Sequence, residues 1–122
     1  MVDRAAELVS RRGKQAFDRL RDRTGPFFFM DTYVFVTSPE GVELVKPAQP
    51  SLEGKNLLDL KDVNGKLLAR EYIAAAMEQG SAWVSYHGYK PGDNTPVAKQ
   101  TYVRKVQSGG DTFVVGAGLY LE

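Results

Sequence analysis

The hydrophobic positions among the first 23 residues recur at helical spacing. The charged positions lie outside a single apolar stripe. This stripe consists of Leu8, Val9, Ala16, Phe17 and Leu20. Apolar residues three and four positions apart form the buried face of an amphipathic helix. The pattern therefore predicts a helix over residues 3–23, with Asp3 as its N-cap. Gly13 interrupts the stripe, which marks either close packing or a weak point in the helix.

The next part of the chain alternates between strand-forming runs and turns. Residues 27–37 are apolar at both odd and even positions, which is typical of a central strand covered on both faces. The turn residues of 38–41 then lead into a second strand over 42–46. A second helix is predicted over 66–79, where apolar residues again follow helical spacing and Gly80 occupies the C-terminal cap position. Three further strands are predicted over 81–89, 97–106 and 111–121.

The order of these elements is helix, two strands, helix, three strands. Tight turns join the first two strands and also the last two, so both pairs are expected to be antiparallel. The pattern predicts an α+β fold, an antiparallel sheet of about five strands with the two helices packed on it. A chain of 122 residues fits one domain. We therefore interpret residues 1–122 as a single domain, with the long N-terminal helix over 1–23 and the sheet domain over 27–122.

Composition and charge exclude several classes of function. A formal net charge of +1 provides no general attraction to nucleic acid. The chain has no cysteine and one histidine, so thiolate metal sites are excluded and a histidine-based metal centre is not expected. No apolar run is long enough for a transmembrane helix. We expect no cofactor, no metal, no nucleic acid partner and no membrane contact within this chain.

Candidate binding chemistry is concentrated in residues 83–102. This stretch contains the only tryptophan, the only histidine, three tyrosines and a lysine inside a predicted strand. The cluster is either a small-ligand pocket or an aromatic-rich core of the sheet. In a pocket, Lys99 is the main cation candidate, because its neighbours in the strand are mostly uncharged, and Lys46 is a second cation. Tyrosine hydroxyls and a tryptophan ring supply donors and apolar surface. The candidate ligand-binding residues are Tyr33, Lys46, Trp83, Tyr86, Lys99 and Tyr102.

Strand alternation divides this candidate set. Trp83 and Tyr86 have opposite parity in one predicted strand, and Lys99 and Tyr102 have opposite parity in the next. Either a β-bulge brings them to one face, or one residue of each pair belongs to the core. We expect at least two of the six candidates to be purely structural.

Several segments resemble single Cache sensor domains in both order and spacing. They are FFMDTYVFV at 28–36, PEGVELV at 39–45, GKNL at 54–57, KDVNGK at 61–66, the run from Gly80 through Trp83 and Tyr86 to Lys90 and Pro91, KQTYV at 99–103 and VGAGLY at 115–120. The resemblance implies a PAS-like antiparallel sheet behind a long N-terminal helix. The family often carries a histidine before the proline that follows the second strand, and this chain has Lys46 before Pro47.

The same resemblance implies a function. Such domains are extracytoplasmic sensors, typically periplasmic, in bacterial chemoreceptors, histidine kinases and cyclic-dinucleotide enzymes. Their usual ligands are small carboxylates such as acetate, propionate, pyruvate or lactate. The implied role is ligand sensing for signal transduction or chemotaxis. The parent protein can be membrane-anchored, and the N-terminal helix is the expected contact in a homodimer.

Two other functions remain open at this stage. An enzyme would need an acid/base pair, for which Asp31 with His87 or Tyr33 is the available choice. No paired carboxylates, nucleophile motif or phosphate-binding glycine loop accompanies these residues, so we do not expect an enzyme and name no catalytic residue. The other alternative is a ligand-free dimerisation or scaffold module with the same fold.

Overall fold

The computed structural model describes residues 1–29, 32–62, 64–88 and 94–120. The helices are α1 (Val2–Arg12), α2 (Phe17–Arg21) and α3 (Leu68–Gln79), and short 3-10 turns span Gly13–Ala16 and Pro50–Leu52. The strands are β1 (Phe28–Phe29), β2 (Thr32–Thr37), β3 (Glu43–Val45), β4 (Ser81–Gly88), β5 (Val97–Ser108) and β6 (Asp111–Tyr120). Within these ranges, no helix combines the length and the hydropathy needed to cross a membrane.

The strands form one antiparallel sheet in the order β1-β2-β6-β5-β4, and β3 pairs with β2. The predicted α+β class is therefore confirmed. The strand predicted over 27–37 is two strands, because β1 folds back onto β2 and places Phe28 opposite Tyr33. The apolar residues on both sides of Asp31 conceal this reversal. Met30 and Asp31, between the two strands, lie outside the described residues.

Each face of the sheet has its own hydrophobic core. The N-terminal helices cover one face, with a core that includes Val9, Phe17, Leu20, Val34, Val36, Val106, Phe113 and Val115. Helix α3 covers the other face, with a core that includes Phe35, Leu57, Tyr72, Ile73, Val84, Val103 and Val114. Consecutive strand residues supply alternate cores, as expected for a sheet buried on both sides.

The N-terminal helix is interrupted, in contrast to the continuous helix predicted over 3–23. Helix α1 ends before Gly13, whose φ of +58° is a conformation that other residues rarely adopt. A Cβ atom on Gly13 would lie 3.2 Å from Ser108 Oγ, so the glycine also permits close packing against β5. Asp3 is not the N-cap, because α1 already begins at Val2. Its carboxylate instead accepts a hydrogen bond from Arg104 Nη1, at 3.0 Å.

Helix α3 begins two residues later than predicted, at Leu68, and ends at Gln79 as predicted. Gly80 follows it with a φ of +83°, and its backbone N–H donates to the carbonyl of Ala76 at 2.8 Å. The glycine therefore ends the helix in a left-handed conformation, and the chain enters β4 directly.

Strand β4 lies at one end of the strand order, and polar side chains contact its backbone. The His87 N–H donates to Asp62 Oδ2 at 3.1 Å. The Lys66 ammonium donates to the carbonyl of Ser85. The loop before α3 therefore satisfies backbone groups that this strand would otherwise expose.

We expect Leu20→Ala to lower the free energy of unfolding by about 2–5 kcal/mol, because it leaves a cavity between α2 and the sheet. Leu20 is 0% exposed. Leu119→Ala is the matched control, because Leu119 is 46% exposed and its loss should change stability by less than about 0.5 kcal/mol. Urea denaturation of both variants measures the difference. Equal losses would contradict the assignment of Leu20 to the core.

Candidate functional site

A cavity of about 250 Å³ lies between the sheet and α3. Its apolar walls come from β2, α3 and the segment between β3 and α3: Phe35, Leu52, Leu57, Leu60 and Leu68. Its polar lining comes from β2, β3, β4, β5, α3 and the residues after β3: Tyr33, Glu43, Lys46, Gln49, Tyr72, Tyr86 and Lys99. A small, largely apolar space with a few polar groups is typical of a site for a small ligand.

Two lysine ammonium groups converge on this cavity. Lys99 lies on β5 directly opposite Tyr86 of β4, and its Nζ is 5.6 Å from the Tyr86 ring centroid. The same Nζ is 5.9 Å from the centroid of the Tyr33 ring. Lys46 follows β3, and its Nζ is 5.2 Å from the Tyr33 ring centroid. Both cations therefore lie near one aromatic ring, at distances at which cation–π attraction offsets part of their lost hydration.

The surroundings of the two lysines shift their pKa values in opposite directions. Burial, and secondly the nearby positive charge of Lys46, lower the pKa of Lys99 to about 8. Burial also acts to lower the pKa of Lys46, but Tyr33 and the Glu43 carboxylate outweigh it, so this pKa is raised. Both ammonium groups are consequently protonated in most molecules at neutral pH, and the cavity attracts anions.

Glu43 is the third charged group of the site and is only 1% exposed. Its Oε1 accepts a hydrogen bond from Thr37 Oγ1 at 3.1 Å, and the Tyr72 hydroxyl lies 2.8 Å from that same Oγ1. Because Thr37 has one hydroxyl proton and donates it to Glu43, Tyr72 donates to Thr37. Burial raises the pKa of Glu43 to about 7, although Lys46 and the Thr37 hydrogen bond act to lower it.

A β-bulge at Leu44 explains why Glu43 faces the cavity. Val45 pairs with Val36, whereas Glu43 pairs with Thr37, so Leu44 has no partner of its own on β2. The extra residue reverses the alternation and turns Glu43 and Val45 to opposite faces. Sequence reasoning missed Glu43, because regular alternation would place it on the same face as Val45. The carboxylate within an apolar run was the only signal in the sequence.

The structure brings together four of the six predicted site residues. The four that line the cavity are Tyr33, Lys46, Tyr86 and Lys99.

Trp83 and Tyr102 face each other across β4 and β5 on the opposite side of the sheet, with ring centroids 5.1 Å apart. The β4–β5 pairing is regular throughout, so no bulge moves either ring to the cavity. Trp83 is 61% exposed. Tyr72 of α3, which is not among the six predicted residues, also lines the cavity.

The described residues hold no group of three histidine, cysteine, aspartate or glutamate side chains that could bind a metal ion. His87 is exposed, and its Nδ1 lies 3.1 Å from Asn64 Nδ2. It is absent from the cavity lining. Asp31, its candidate acid/base partner, lies outside the described residues.

Comparison with known proteins identifies the family. The family model of the Cache domain matches residues 12–122, which is most of the chain. The chain belongs to the Cache domain family. This Cache domain is 29% identical over 92 residues to the methyl-accepting chemotaxis protein McpP of Pseudomonas putida. The match covers 75% of the chain but only 16% of that receptor.

Two solved structures resemble this Cache domain over most of its length. One is a Cache chemosensory domain that recognises carboxylic acids, with a TM-score of 0.77 and 28% identity, covering 89% of this chain and 71% of that one. The other is the periplasmic sensor domain of a chemotaxis protein, with a TM-score of 0.77 and 31% identity, covering 99% of this chain and 85% of that one. This Cache domain is therefore similar to the sensor domains of chemoreceptors and of a sensor histidine kinase.

We expect the free energy of unfolding to decrease as the pH rises from about 4.5 to about 7, by about 3 kcal/mol. The pKa of Glu43 is raised from its usual 4.5 to about 7 in the folded protein. The folded state therefore binds the proton more tightly than the unfolded state, and this contribution is lost as Glu43 ionises. Urea denaturation at a series of pH values measures the slope.

Glu43→Gln is the control for this pH dependence, because glutamine keeps the shape of the side chain without a titrating proton. The variant should have a flatter profile between pH 4.5 and 7. A wild-type slope that persists unchanged in the variant would show that another group is responsible.

Proposed function

We propose that this Cache domain binds a short-chain monocarboxylate in the cavity between α3 and the sheet, as the sensor of a signalling protein. One observation carries the proposal: two ammonium groups lie within 6 Å of the Tyr33 ring in a cavity with apolar walls. Such a site offers charge to a carboxylate and contact surface to a short hydrocarbon tail. The solved Cache domain that recognises carboxylic acids supports this choice of ligand class.

The charge of the cavity favours an acid with one carboxylate. Above about pH 7, where Glu43 is ionised, its negative charge and the two positive charges of Lys46 and Lys99 leave one positive charge for a single anion to neutralise. A second carboxylate would have to approach Glu43 or remain buried without a partner, and both are unfavourable. The volume of about 250 Å³ suits a ligand of a few carbon atoms.

A bound carboxylate would relieve the repulsion between the two lysines. The positive charge of Lys46 already contributes to the lowered pKa of Lys99. An anion placed between both ammonium groups stabilises the protonated form of each. Tyr86 can add a hydrogen bond, because its hydroxyl oxygen accepts from Thr101 Oγ1 at 3.1 Å and its own proton can be donated elsewhere.

Glu53 connects the cavity to the N-terminal helices. Its Oε2 accepts the backbone N–H of Lys46 at 3.0 Å, and its Oε1 accepts Arg21 Nε of α2 at 3.1 Å. The Arg21 Nη2 also donates to the carbonyl of Leu44 at 3.1 Å. A ligand that moves Lys46 would therefore shift α2 relative to the sheet. In our proposal this displacement is the signal, a population shift between two states that differ in ligand affinity.

The proposal also covers the cellular location of the domain and its pairing with a second copy. We place it on the extracytoplasmic side of a membrane-anchored parent protein, in which the N-terminal helices of two copies pair. The similar periplasmic sensor domain supports this location.

We expect one or more of acetate, propionate, pyruvate and lactate to raise the melting temperature of the domain saturably, since a ligand that binds only the folded state stabilises it. Succinate should have a weaker effect. Lys99→Met should reduce the affinity for the bound acid about tenfold or more, as expected for the loss of a charged hydrogen bond. Calorimetric titration measures the dissociation constant.

Lys105→Met is the matched control, because Lys105 lies on the same strand but outside the cavity lining. Its affinity should equal that of the wild type. If the wild type and Lys99→Met bound the acid with equal affinity, the proposed contact between Lys99 and the carboxylate would be wrong. A wild-type protein that binds no acid in any assay would favour the ligand-free scaffold.

A further inference from the structure

We infer that Gly118 is a positioning residue for the ligand-binding site. Its missing side chain leaves a slot on β6 that holds the stem of Lys99, and the depth of this slot determines how long an acid the cavity accepts. The inference rests on the proposed function, because it concerns the same cavity and the same class of ligand.

The slot is defined by close distances on one face of the sheet. Gly118 pairs with Thr101 of β5, and Lys99 lies two residues away along that strand on the same face. A Cβ atom on Gly118 would lie 2.1 Å from Lys99 Cε, 3.0 Å from Lys99 Nζ and 3.1 Å from Thr101 Oγ1. Real Cβ atoms essentially never approach other atoms within 3.0 Å. The end of the lysine side chain therefore occupies the space that any other residue at 118 would fill.

The backbone gives no reason for a glycine at this position. The glycines with positive φ do not include Gly118, so its conformation is open to other residues. A glycine inside a strand weakens the strand, because it has no side chain to pack and loses more conformational entropy on folding. The space required by Lys99 is the physical reason that the structure offers.

Gly116, two residues earlier on the same face, shows a different kind of close contact. A Cβ atom there would lie 2.6 Å from Phe35 Cζ and 2.9 Å from Val103 Cγ1, both in buried side chains. These groups are packed in the core and have little freedom to move. At Gly118 the obstructed atoms belong mainly to the end of a flexible side chain. A substitution at 118 should therefore displace Lys99 more than it disturbs the fold.

The space open to the displaced ammonium group lies on the cavity side. On the β4 side of Lys99, Gly88 lines the cavity and has no side chain, and a Cβ atom built on it would still lie 3.9 Å from Lys99 Cδ and 3.6 Å from Tyr86 Cε2. A methyl group at position 118 closes the β6 side. The ammonium group must then move towards the cavity, which shortens the space left for the tail of the ligand.

Gly118→Ala should weaken binding of the longest accepted acid about tenfold to a hundredfold, the range expected for a misplaced charged hydrogen bond. Its preference should shift towards a shorter acid, such as acetate over propionate. Calorimetric titration with the series of acids measures both effects. Gly110→Ala is the matched control, because a Cβ atom there meets nothing within 4 Å, and it should bind all acids like the wild type.

A readout without ligand separates this inference from the proposed function. In ¹³C NMR, Gly118→Ala should shift the Lys99 Cε resonance, whereas Gly110→Ala should not. In a Lys99→Ala background, Gly118→Ala should cost less stability than in the wild type, because the lysine stem is gone and only Thr101 Oγ1 remains close to the added methyl group, at 3.1 Å. An unshifted resonance, or unchanged selectivity among acids that the wild type binds, would overturn the inference. A wild type that binds no acid would refute the proposed function, and the resonance would still test the slot.

Discussion

The burial of three charged groups beside one small cavity is the physical constraint on which this Cache domain depends. Lys46, Lys99 and Glu43 lose hydration when α3 closes over the sheet, and buried charges are unfavourable unless nearby groups stabilise them. Two tyrosine rings, the Thr37 hydroxyl and the opposite charges provide that stabilisation within the protein. The compensation leaves a net positive charge in the cavity. In our proposal, the charges that bind the anion are already in place before the ligand arrives, and binding changes their position relative to α2.

The sheet separates this chemistry from the packing of the N-terminal helices. Along β5, Lys99 and Thr101 face the cavity side, whereas Tyr102 and Val106 face the helices. Strand alternation therefore places neighbouring residues of β5 either beside the cavity or in the core under the N-terminal helices. The cavity side and the helix side of the sheet are connected by Glu53, whose carboxylate accepts hydrogen bonds from Arg21 of α2 and from the backbone of Lys46. In our proposal, a change in the cavity reaches the N-terminal helices through these contacts of Glu53.

Local patterns in the sequence were sufficient for the fold class, for α3 and for most strands, because amphipathic periodicity reflects burial directly. They did not predict where the chain reverses direction or where a β-bulge shifts the register of two paired strands. The reversal between β1 and β2 lies within a run that is apolar except at Asp31 and Thr32, and the bulge at Leu44 is marked in the sequence only by the Glu43 carboxylate between apolar residues. The cavity was predictable only in part for the same reason. The alternation of strand residues correctly predicted that Lys99 and Tyr102 lie on opposite faces of the sheet. It could not predict that Glu43 faces the cavity, because that depends on the bulge in the pairing of β3 with β2.

The side chains that contact the backbone of β4 have a further consequence. An exposed strand edge is a template on which another extended chain can add, and proteins commonly block such edges with charged groups or loops. Here Asp62 and Lys66 bind the His87 N–H and the Ser85 carbonyl, the groups that an added strand would use. The loop that leads into α3 thus also protects this edge from aggregation. Substitution of either side chain would leave the cavity lining intact and still make the domain more prone to associate through its sheet.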